Sequence, residues 1–143
     1  AFFLAGKTPN GTFQDLRLDL VTLADSQPDT KGTQADLCEA GYLGRTQDGV
    51  SWKLYRREQA GVDLKPTQGG TYQLLTDRLS SLSLDYTIDG IAWTESFDSK
   101  EAGRLPWLVR LRFAFVPPEG TEAPPPYERT LVLSSFGLAP DGQ

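Results

Sequence analysis

The chain has 143 residues, 14 lysines and arginines against 19 aspartates and glutamates, and a formal net charge of −5. That length suits one domain, residues 1–143, with a core of its own, and the acidic balance argues against a nucleic-acid backbone or an anionic membrane face as partner. Histidine is absent, which removes the commonest general base, the usual zinc ligand and the simplest pH switch, and the single cysteine cannot form an internal disulfide.

There is no methionine, so the chain reads as a processed or truncated product, and no run approaches the ~20 apolar residues that span a bilayer. Residues 2–4 (FFL) suggest a short strand, and 8–12 (TPNGT) a turn. Leu16, Leu18 and Leu20 alternate with Arg17 and Asp19, the period of a strand with one apolar face. A polar loop with Pro28 and Gly32 follows over 24–36. Residues 37–45 predict a strand carrying Tyr42, in which Cys38 reads as a small, unreactive apolar residue. Gln47-Asp48-Gly49 signals a hairpin turn, after which Val50, Trp52 and Leu54 alternate with Ser51 and Lys53.

Residues 59–71, with Gly61, Pro66, Gly69 and Gly70, read as a loop. The next segment, 72–82, supports two readings. Leu75, Leu79 and Leu82 sit at helical spacing with Thr76 available as a cap, while a strand or irregular structure serves equally. Leu82, Leu84, Tyr86 and Ile88 then alternate with Ser83, Asp85 and Thr87 up to an Asp89-Gly90 turn. Beyond Trp93, Phe97 and Leu105-Pro106, a second alternation places Val109, Leu111, Phe113 and Phe115 against Arg110, Arg112 and Ala114. A proline-rich loop covers 117–126 and cannot donate ladder hydrogen bonds at its prolines. The last strand falls over 129–136, with Leu131 and Leu133 on one face, and 139–143 read as a frayed end. No repeat recurs at a fixed period. About seven short strands, many turns and little helix predict an antiparallel, β-rich α+β domain.

The densest acidic group is Asp85, Asp89, Glu95, Asp98 and Glu101. Several carboxylates suit a hard cation such as calcium, but the spacing is not that of an EF-hand loop, and solvated strand and turn positions account for all five. Carboxylate pairs for glycoside chemistry occur by chance in any acidic domain, and the sequence gives no sign of a cleft. Ser80-Ser81 and Ser134-Ser135 lack an elbow context and a histidine, and Gly69-Gly70 is not followed by the Lys-Ser/Thr of a phosphate loop. Catalytic, cofactor-binding and metal residues are therefore assigned to none. Arg104, Arg110, Arg112 and Arg129 offer either a basic face or, as is ordinary on antiparallel sheets, cations paired across strands to acidic neighbours. Trp52 and Trp107 share faces with apolar residues and predict core positions. Trp93 follows a turn, and Phe2, Phe3 and Leu4 form a contact patch if exposed.

The linear order Leu82, Tyr86, Asp89-Gly90, Trp93, Ser96-Phe97-Asp98, Leu105-Pro106, Val109, Leu111 resembles the J-type minor pseudopilins of bacterial type II secretion systems. Phe97 stands where that family more often has Trp. Tyr42 with 52–58 (WKLYRRE) upstream and 129–133 downstream extend the resemblance over most of the chain. It implies a non-enzymatic periplasmic head, anchored in the inner membrane through an N-terminal hydrophobic helix missing here. The partners it implies are the I-type and K-type minor pseudopilins at the pseudopilus tip. The partner-binding residues stay unknown. A minor pilin of a type IV or competence pilus, and a carbohydrate- or ligand-binding β-sandwich stacking on Trp93 and Phe97, are the alternatives.

Overall fold

The structure is a computed structural model that describes residues 3–10, 13–23, 37–60, 65 and 67–133. Its elements in chain order are β1 (Phe3–Asn10), β2 (Phe13–Leu23), β3 (Leu37–Thr46), β4 (Trp52–Ala60), β5 (Thr71–Thr87), β6 (Phe97–Asp98), α1 (Ser99–Ala102), β7 (Leu108–Phe115) and β8 (Tyr127–Val132). They form one antiparallel sheet in the order β6-β1-β2-β3-β4-β5-β7-β8. Chain neighbours are sheet neighbours throughout, except that β6 leaves the β5–β7 connection to pair with the opposite end of the sheet at Leu4 and Ala5.

That exception requires the sheet to curl on itself, and it does so as a half-barrel. Phe3 of β1 meets Tyr86 of β5 edge to face at 5.5 Å between centroids, although β2, β3 and β4 separate their strands in the sheet. Phe97 of β6 completes the cluster, 5.9 Å from Phe3. The curl also brings Leu82 of β5 onto β3. A Cβ built on Gly44 would lie 2.4 Å from the Leu82 side chain, so only a residue without one lets the two walls approach. The core inside the curl holds Phe3, Ala5, Leu16, Leu18, Trp52, Leu79, Leu82, Leu84, Tyr86 and Val109. Each large side chain buried there contributes about 1.5–3 kcal/mol relative to exposure.

The expected α+β pseudopilin-head fold is not what forms: the described residues make one curled antiparallel sheet of eight strands. Among the described residues the helical content is α1, a single turn of four residues. Asp98 caps it by accepting from the Lys100 N–H at 2.8 Å, and Gly103, at φ 68°, ends it. The segment with helical leucine spacing is strand: β5 runs unbroken over 17 residues. Its pairing explains the misleading spacing. Trp52 faces Leu79, Leu54 faces Thr76 and Tyr55 faces Leu74, while on the other side Phe115 faces Leu79 but Ala114 faces Ser81. Each step inserts an extra residue into β5. Residues three apart point to opposite faces of a regular strand, so the bulge between Leu79 and Ser81 is what lets Leu79 and Leu82 both enter the core. Bulges also bend a strand and raise its twist, which suits the strand where the sheet turns back on itself.

Other expectations shift as well. The turn predicted over 8–12 does not begin at Thr8, because β1 continues through Thr8, Pro9 and Asn10, and residues 11 and 12 lie outside the described residues. Pro9 sits in a stretch of β1 paired with β2 on one side and beyond the reach of β6, a position compatible with a missing N–H. Phe3 is no contact patch but a core residue, 3% exposed, whereas Phe2 lies outside the described residues. Trp52 is core as expected. Trp107 is half-buried against the Gly90 turn rather than in the core cluster. The predicted 24–36 loop, residues 134–136 of the last strand, the 139–143 end and the surroundings of the Cys38 side chain lie outside the described residues.

Candidate functional site

Alternation on β2 sends Leu16, Leu18 and Leu20 inward and leaves Asp15, Arg17 and Asp19 on the convex face, where the register sets them beside Arg45, Leu43 and Gly41 of β3. One row runs Asp19–Gly41–Arg57 across β2, β3 and β4, flanked by Glu39. Arg57 is 1% exposed and Glu39 0%. The Arg57 guanidinium lies 3.3 Å from Asp19 Oδ1 and 3.5 Å from Glu39 Oε2. It also donates to the carbonyls of Gln68 (2.9 Å) and Gly69 (3.1 Å), while Arg17 donates to the Thr67 carbonyl at 3.0 Å. The 67–70 segment is thus drawn over the sheet by two arginines. Gly41 sits between the partners, and a Cβ there would lie 2.6 Å from Asp19 Oδ1. Burial pushes the Asp19 carboxyl above the usual carboxylate value, against the opposing pull of Arg17 and Arg57.

The second charged group stands on the same face further along the sheet. Asp85 of β5 accepts from Arg110 at 3.1 Å and from Arg112 at 2.6 Å, both on β7. Desolvation raises the Asp85 carboxyl, but the hydrogen bonds from Arg112 and Arg110 prevail and hold it below the usual range. The Arg110 guanidinium carbon lies 4.2 Å from the centroid of a Trp93 ring. Arg129, which pairs with Leu111, falls on the opposite face, and Arg104 is in the β6–β7 connection. The four arginines therefore do not make one basic face, and the two on β7 are paired across strands.

The acidic quintet is dispersed. Besides Asp85, Glu95 pairs with Lys7 at 3.2 Å, Asp98 caps α1, and Glu101 lies in α1 itself. Asp89 accepts from the backbone N–H groups of Ile91 (2.8 Å) and Ala92 (3.0 Å) and from the Thr87 hydroxyl (3.0 Å). Those N–H bonds hold its carboxyl below the usual range. Among the described residues no group of three or more His, Cys, Asp or Glu side chains converges.

The third feature is an edge. β8 closes one end of the sheet, and all six of its residues are exposed. On the concave side, Tyr127 pairs with Phe113, Leu131 with buried Val109, and Phe115 with buried Leu79. Tyr127, Leu131 and Phe115 are 43%, 38% and 47% exposed. The apolar lining of the curl therefore runs out to its rim.

Trp93 and Phe97, the stacking residues of the carbohydrate reading, are both engaged within the chain, by Arg110 and by the Phe3–Tyr86 cluster. Sequence reasoning missed the buried Asp19–Arg57–Glu39 group. Its alternation looks like any solvated strand face, and the one hint is that three charged residues share outward positions with glycine as their neighbour. No family model matches the chain, and comparison with curated proteins finds no match.

Proposed function

We propose that the chain is a structural subunit that works by protein–protein association, as the head of a J-type minor pseudopilin in a type II secretion system. The observation that carries the associative part is the unclosed half-barrel. Its rim exposes Phe115, Tyr127 and Leu131 on the face that holds the buried core, and all six residues of its terminal strand are exposed. Exposed apolar side chains continuous with a core mark a surface made to be covered. The family part rests on the ordered residues of the resemblance, which take structural posts here. Leu82, Tyr86 and Val109 are core, Asp89-Gly90 shapes the turn, Phe97-Asp98 form β6, and Pro106 is fully buried.

The test is to mix the purified chain with the heads of I-type and K-type minor pseudopilins and follow the mixture by size exclusion and calorimetry. Co-elution and saturable heat are expected with the I-type head. Separate elution at concentrations of about 100 µM would count decisively against the reading.

A further inference from the structure

We infer that the outer edge of β8, unpaired among the described residues, pairs with β8 of a second copy of this chain, antiparallel, about a twofold axis through Thr130. The reasoning stands on the edge alone and holds whether or not the pseudopilin reading does. The register with β7 runs from Leu108↔Val132 to Phe113↔Tyr127 without a shift, and the Leu133 N–H donates to the Trp107 carbonyl at 3.0 Å. In an antiparallel ladder, bonded and non-bonded pairs alternate, so Tyr127, Arg129 and Leu131 direct their amides to β7. The N–H and C=O groups of Glu128, Thr130 and Val132 then point away from the sheet. Edges that avoid pairing carry charges, lysine above all, proline or a bulge, or turn a charge inward. β8, with the sequence YERTLV, has no lysine, proline or bulge, and its two charges, Glu128 and Arg129, are of opposite sign, with Arg129 on the concave face.

Of the antiparallel self-pairings centred on Glu128, Arg129 or Thr130, the side chains favour the one centred on Thr130. Pairing about Thr130 sets Thr130 against Thr130 and Glu128 against Val132, so all three outward-facing residues of each strand find hydrogen-bonding partners. On the other face Arg129 meets Leu131, and Tyr127 meets Leu133. No like charges face each other. A centre on Arg129 would oppose two arginines, and one on Glu128 two glutamates, each unfavourable across a strand pair. The Thr130 register also covers Leu131 and Val132, which are 38% and 67% exposed in the single chain. A six-residue edge buries less than a standard interface, so the association is weak, with a Kd of the order of 10⁻⁴ M.

The experiment is sedimentation equilibrium of the chain up to about 1 mM, with amide hydrogen exchange measured at both ends of the range. A monomer–dimer equilibrium is expected, in which the amides of Glu128, Thr130 and Val132 gain protection with concentration and those of Arg129 and Leu131 do not. Thr130→Lys sets two like charges at the axis on an exposed position and should weaken dimerisation about tenfold or more with its circular dichroism unchanged. Thr130→Pro, which removes an outward N–H and spares the β7 ladder, should do the same. A monomer at about 1 mM overturns the inference. So does a dimer whose affinity ignores Thr130→Lys, or one that leaves those three amides unprotected.

Discussion

Two of the arginine–aspartate groups on the convex face of this sheet, Arg57 with Asp19 and Arg110 and Arg112 with Asp85, differ in what lies over them. Arg57 with Asp19 and Glu39 is sealed under the 67–70 segment, whereas Arg110 and Arg112 hold Asp85 in partial contact with water. The same charges do opposite work in the two places. In the exposed group, solvent already stabilises each ion, so pairing adds little. In the covered group, water has been removed and every ion depends on its neighbours, so each member is indispensable once the others are present.

The comparison breaks most sharply at Arg57. Arg57→Ala leaves two buried carboxylates facing each other and releases the Gln68 and Gly69 carbonyls, and it should cost about 3–5 kcal/mol in denaturant unfolding. A cost below about 1 kcal/mol would mean that the covered group is as dispensable as a surface pair. Next in size is Arg110→Ala, which removes one bond to Asp85 and the contact with Trp93. A loss of about 1 kcal/mol is expected, with a shift in Trp93 fluorescence. Arg112 is 44% exposed, and Arg112→Ala should change stability by no more than about 0.5 kcal/mol.

The finest distinction is in pH dependence, read by carboxyl NMR titration. Asp85 should titrate below 3.8 and Asp19 above it. The signs for stability are opposite. Asp85, depressed in the fold, contributes stability that is fully present above 3.8 and is lost as pH falls through its lower folded value. Asp19, raised by burial, binds its proton more readily folded than unfolded, so acidification through its folded value favours the fold. Both carboxyls moving in one direction would remove the contrast.

Turn chemistry was legible residue by residue, and one local repeat went unread. The pattern Thr-x-Asp-Gly-Val/Ile-Ser/Ala-Trp occurs at 46–52 and at 87–93. In both, the threonine hydroxyl accepts from the glycine N–H and the aspartate takes the next two backbone N–H groups, with Gly49 and Gly90 at φ 76° and 80°. Yet Trp52 enters the core and Trp93 lies over Arg110. Removing the turn acceptor, by Asp48→Ala or Asp89→Ala, should lower the thermal midpoint in both cases. The Asp48 variant should lose more, because its turn joins two long paired strands while the other is followed by one isolated bridge, Tyr86↔Thr94.

What the sequence alone determined was local. Period-two alternation named the inward leucines of β2, β5 and β7, the Asp-Gly turns and the proline-rich break, because side-chain direction and φ preference are properties of a few adjacent residues. It could not show that β5 stays extended through bulges, since a bulge is defined by the partner strands and its leucine spacing mimics a helix. Nor could it show that Phe3 meets Tyr86, that Arg57 is covered, or that β8 is the end strand of the described sheet. Those follow from which surfaces the curl brings together, a long-range outcome decided only when every strand has found its neighbour.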